Sequence, residues 1–178
     1  MNTVFGIPTH PFLGHLAAFA VPLVALLVVI IALIPRLPQR VRWATLALSV
    51  LAVVLTSVTE SSGKALMHQV QKTALTKRHA QIGDELIPWV VGLFAVCVAL
   101  LITNYWTRLR AGDRSGEPRP SSIISRRLLL VVRIILGLVA LLVATGAIMQ
   151  TVRIGHSGAE ATWLSFEHVA GKWQRPLA

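Results

Sequence analysis

Charge is scarce in this chain and lopsided in sign. Charged residues make up 13% of 178 residues, with seven Asp and Glu against 17 Lys and Arg. A soluble domain carries about 25% charged residues, so a chain with 54% hydrophobic residues has too little polar surface for water. Cysteine is almost absent. The single Cys97 excludes an intrachain disulfide, a thiolate cluster and covalent haem attachment, and inside an apolar run it reads as a small packing residue. There is no internal repeat, no His-Glu-x-x-His, no nucleotide-binding glycine loop and no nucleophile elbow.

What the sequence has instead is four apolar runs, Leu16 to Ile34, Trp43 to Val58, Leu86 to Trp106 and Leu128 to Met149. Each approaches the roughly 20 residues that a helix needs to cross the hydrocarbon core. Helices are required because lipid offers no partner to backbone groups. The expected fold is an all-α integral membrane four-helix bundle over residues 7–163. Its transmembrane helices are expected near 12–34, 43–62, 80–106 and 127–152, followed by a short tail over 164–178. The first run has no Lys or Arg before it and no cleavage site after it, so it reads as a span and not as a cleavable signal. Pro22 and Pro88 are expected to kink their helices.

The net charge of +10 does not point to nucleic acid, because the basic residues cluster in short links between apolar runs. Arg36, Arg40 and Arg42 lie in one link; Arg108, Arg110, Arg114, Arg119, Arg126 and Arg127 lie in another. The positive-inside rule assigns both links to the cytoplasm, and hence both termini and the 59–82 connection to the outer side. The expected location is the plasma (inner) membrane, multi-pass, with the lipid bilayer as the first partner.

Histidine is the informative residue. His10, His15, His68, His79, His156 and His168 all fall on the outer side of this topology, together with Glu60, Asp84, Glu85, Glu160 and Glu167. An even chance for each histidine would seldom place all six on one side. Several adjoin glycine: Gly14 precedes His15, Gly155 and Gly158 flank His156 and Ser157, Gly83 lies one turn after His79, and Gly63 lies near the end of the second run. Backbone without side chains admits a flat macrocycle. His15, His79 and His156 are therefore the candidate ligands of a b-type haem, or of copper or zinc. Arg153, one turn before His156, is a candidate partner for a haem propionate, Glu60 or Asp84. His10 and His168 read as solvated or capping residues, and His68 as a weaker candidate. A nucleophile assembled from Ser157, His156 and Asp84 is disfavoured for want of an elbow.

Four stretches resemble the bacterial membrane family called domain of unknown function 2231, in its actinobacterial form. They are His10-Pro11 with His15, Ser62-Gly63 with Leu66, the run Leu75 to Trp89 containing His79, Gly83, Asp84 and Pro88, and Val152 to Ala159 followed by Trp163. The likeness covers roughly residues 7–163 and leaves His68 and His168 outside its motifs. It implies a four-helix membrane domain with its polar motifs on one side. Members fused to Rieske iron–sulfur domains suggest a redox setting, though no established activity comes with the family. The leading expectation is a membrane protein that transfers electrons through a haem b held by the outer histidines, with a possible redox partner protein. The alternatives are a copper or zinc site, and a non-catalytic subunit or assembly factor that docks a partner on its outer face. Proton or cation transport is disfavoured because no acidic residue lies mid-span.

Overall fold

The computed structural model describes the backbone of residues 3–4, 7–68, 73–112 and 121–173, and side chains over 9–68, 73–108 and 127–163. A two-residue antiparallel pair, β1 (Thr3–Val4) and β2 (Ile7–Pro8), precedes five helices. These are α1 (Thr9–Leu33), α2 (Gln39–Met67), α3 (Ala74–Asp84), α4 (Leu86–Gly112) and α5 (Ser121–Trp173). Four stretches are long and apolar enough to cross a bilayer: Thr9–Leu33, Gln39–Met67, Ala74–Arg108 and Arg127–Trp163. In the third, Lys77, Arg78, Gln81 and Asp84 lie in α3, and its apolar stretch is α4.

The four long helices pack as a square. Helix α1 lies between α5 and α2, and α4 completes the ring between α2 and α5. The core follows helical spacing on each wall: Val21, Val24, Ala25 and Val28 on α1, Val90, Leu93, Cys97 and Leu100 on α4, Ala140, Ala144 and Ala147 on α5. The buried face of α2 is small and polar instead, with Thr45, Ser49, Ala52 and Thr56. Thr45 and Ser49 donate their hydroxyls to the carbonyls of Val41 and Leu46, which satisfies them within their own helix. Small residues inside let backbones approach closely, while large apolar residues such as Phe19 and Leu142 face outward. At Gly146 the bundle has no room for a side chain, because a Cβ would overlap the Trp89 ring.

Pro35 to Pro38 form the α1–α2 turn, and Pro38 is the N-cap of α2. Pro88 acts differently from the kink expected of it. It lies in the first turn of α4, where its missing N–H costs nothing, and its ring would clash with the carbonyl of Asp84 in a continuous helix. The helix breaks at Glu85 and α3 becomes a separate element, capped by Thr73, whose hydroxyl accepts from the Thr76 N–H at 3.2 Å. Helix α3 packs mainly on the far part of α5. The second helix, expected over 43–62, runs from Gln39 to Met67. Helix α5 continues past the apolar run, through the segment read as a tail, to Trp173.

Candidate functional site: a histidine pair at one end of the bundle

His10 opens α1 and turns its ring into α2. Its Nδ1 lies 2.9 Å from the Thr59 carbonyl oxygen and 3.3 Å from Ser62 Oγ. A carbonyl only accepts, so Nδ1 carries the proton. Ser62 spends its own hydrogen on the same carbonyl at 2.7 Å. The approach depends on Gly63, where a Cβ would stand 2.8 Å from His10 Cε1.

His79 repeats this arrangement on the other side. Its Nδ1 lies 2.9 Å from Ser157 Oγ, and Ser157 donates its hydroxyl hydrogen to the Ile154 carbonyl at 3.0 Å. Ser157 therefore accepts, and Nδ1 of His79 is again the protonated nitrogen. Gly158 gives the ring its room, since a Cβ there would meet His79 Cε1 at 3.1 Å. The two rings meet edge to face, with centroids 6.3 Å apart and planes at 79°. With Nδ1 the donor in each ring, Nε2 is the nitrogen that carries the lone pair in the neutral tautomer. Burial, and then the neighbouring His10, lower the His79 pKa below that of a free imidazole, which holds the ring neutral.

Beside the pair, Gln150 ties α5 to the α3–α4 break. Its buried amide donates to the Ile82 carbonyl at 2.7 Å and to Glu85 Oε2 at 3.1 Å. Arg153 donates to Gln150 Oε1 at 3.0 Å and lies 3.6 Å from Glu85. Lys64 bonds Glu60 and lies 3.8 Å from Asp84.

His15, His79 and His156, expected to converge, each have partners of their own. His15 is exposed and returns its Nδ1 to the Pro11 carbonyl of its own helix at 2.6 Å. The His156 side chain is 74% exposed and faces Glu160 at 3.4 Å, which also pairs with Arg78 at 3.5 Å. Among the described residues, no group of three or more His, Cys, Asp and Glu is placed to hold a metal ion. His68 is the exposed C-cap of α2, and the side chain of His168 lies outside the described residues. Arg153 pairs with Glu85, not with Glu60 or Asp84. The Ser157, His156 and Asp84 nucleophile also fails, because the Ser157 hydroxyl is bonded to His79 and Ile154.

The glycines divide in the same way. Gly63 and Gly158 cradle imidazoles, whereas Gly14, Gly83 and Gly155 have open space where a Cβ would stand. Sequence reasoning placed His10 among the capping residues and passed over Gln150. The available signals were small polar Ser62-Gly63 at the end of one apolar run and a lone amide at the end of another. Neither the family models, the curated proteins nor the solved structures contain a match to this chain.

Proposed function

We propose that this protein is an integral membrane redox protein in which His10 and His79 would hold a b-type haem on the outer side. The observation that carries this reading is the pairing of two imidazoles with ring centres 6.3 Å apart, each with Nδ1 hydrogen-bonded to its own neighbouring helix. Ligating histidines characteristically donate their other ring N–H to a carbonyl or similar acceptor, which fixes tautomer and orientation. Thr59 and Ser157 supply those acceptors here. Held by these residues, haem would supply one-electron transfer. The chain's own residues orient the imidazoles and hold each Nδ1 proton in place. The resemblance to the family seen with Rieske domains points toward the same redox setting.

A second reading is a cuprous ion between the same two imidazoles. The tight seating of the rings against Gly63 and Gly158 favours it, since an ion needs no slot the size of a macrocycle. Zinc is less suited, because its sites take three or four protein ligands and the described residues provide no such group. Absorption spectroscopy of protein purified in mild detergent decides between the two. A Soret band that disappears in His79→Ala supports haem. A colourless protein that holds one copper per chain supports the ion. A colourless, metal-free protein after haem and copper supplementation would overturn both.

A further inference from the structure

His79 stands on α3, which the break at Glu85 separates from the apolar helix α4. Its place opposite His10 therefore depends on what holds α3 to the bundle. Two hydrogen bonds tie α3 to α5, one from His79 to Ser157 and one from Gln150 to the Ile82 carbonyl. His79 and Ile82, three residues apart, share a face of α3; Gln150 and Ser157, seven apart, lie two turns along one face of α5. Ion pairs of Arg78 with Glu160 and of Lys64 with Asp84 also join α3 to its neighbours, but largely exposed pairs contribute little.

The Gln150 contact is the more completely built of the two hydrogen bonds. Ile82 is the buried residue of α3, and its carbonyl falls in the last turn, where a helix offers no partner of its own. Gln150 is 3% exposed. One of its amide hydrogens goes to Ile82 at 2.7 Å and the other to Glu85 Oε2 at 3.1 Å, while its oxygen accepts from Arg153 at 3.0 Å. The reversed amide would set that oxygen against two acceptors, so its orientation is settled. A side chain with donors alone or acceptors alone could not meet all three partners.

We propose that Gln150 is a positioning residue of the histidine pair: its amide seats α3 on α5 and so holds the His79 ring edge-on to His10. This role belongs to the rings themselves, whatever they bind.

The test uses the full chain in detergent without added haem or metal, so its outcome is independent of the haem and copper readings. Spin labels at Ser61→Cys on α2 and Lys77→Cys on α3, both exposed positions, report the seat of α3 in a Cys97→Ala background. A second pair, Arg40→Cys and Tyr105→Cys, reports α2 against α4 away from the break. Gln150→Met fills similar space without an amide. It is expected to widen the distance distribution of the first pair about twofold, as for a locally released segment, and to leave the second pair unchanged. Gln150→Asn, whose amide falls one methylene short of Ile82, should act likewise and serves if Gln150→Met does not fold. Glu85→Gln keeps an acceptor for Gln150 and should leave both pairs unchanged. An unchanged first pair in the Gln150 variants, or equal widening of both pairs, would overturn the proposal. The former result, joined to widening in Ser157→Ala, would place the seat of α3 at His79 itself.

Discussion

The imidazole of His10 stands edge-on to that of His79, with ring centres 6.3 Å apart and planes at 79°. Helix α1 and helix α3 contribute one ring each, and α2 and α5 supply the acceptors that hold them. The pair therefore joins elements from four parts of the chain. Its properties can be tested one at a time.

Removing either ring removes half of the proposed coordination. His10→Ala and His79→Ala are each expected to abolish the haem or copper signal of the purified protein. His15→Ala and His156→Ala should leave it unchanged, because both side chains are exposed and bonded elsewhere. Metal content and absorption spectra check this directly. Loss of the signal in His15→Ala with retention in His10→Ala would reverse the assignment.

The glycines separate crowding from openness. Gly63→Ala places a methyl group 2.8 Å from the His10 ring. The ring must leave the Thr59 carbonyl, at an expected cost of about 1–3 kcal/mol. Gly155→Ala fills open space on an exposed face of α5 and should stabilise the helix by about 0.5–1 kcal/mol. Thermal unfolding in detergent should move in opposite directions for the two variants.

Gln150→Leu tests the lock on the α3–α4 break. It removes the donor to the Ile82 carbonyl and the acceptor for Arg153. Leaving buried polar groups unpaired is expected to cost about 1–3 kcal/mol. Hydrogen exchange should rise across 74–84, since Gln150 ties that segment to α5. Unchanged exchange there would show that α3 is held by other contacts.

The lowered pKa of His79 sets a direction for the pH dependence of stability. In the unfolded chain this histidine takes up a proton near its ordinary value, while the folded protein takes it up only at lower pH. Between those two points the unfolded state binds more protons, so stability rises with pH. Full stability is present above the unfolded value of 6.5, falls as pH drops below it, and levels off below the folded value. Unfolding followed from pH 8 to 5 should show this slope, and His79→Gln should flatten it. His10 faces the same ring, so His10→Gln is measured beside it as a control for the loss of the ring contact.

Much of the fold was legible in the chain because the controlling rules are local. A span requires a run of apolar residues of sufficient length, and runs ending in Met149 or beginning at Leu86 state that requirement residue by residue. Composition and the clustering of arginines between runs likewise needed no tertiary information. The location of the polar end followed from where the histidines fall. Which histidines meet was decided only in three dimensions. Successive residues turn about 100° around a helix, so His10 and His15 point about 140° apart and α1 can turn only one toward α2. Its packing chose His10. On α5 the neighbours His156 and Ser157 diverge by about 100° for the same reason, so Ser157 reaches His79 and His156 turns to Glu160. The break at Glu85, which frees α3 to lie against α5, completed the choice. Apolar periodicity fixes a helix's buried stripe only broadly, and that breadth is enough to exchange one histidine for another. The rotation of each helix is settled by side chains far away in sequence, here by Gly63 and Gly158 admitting the two rings.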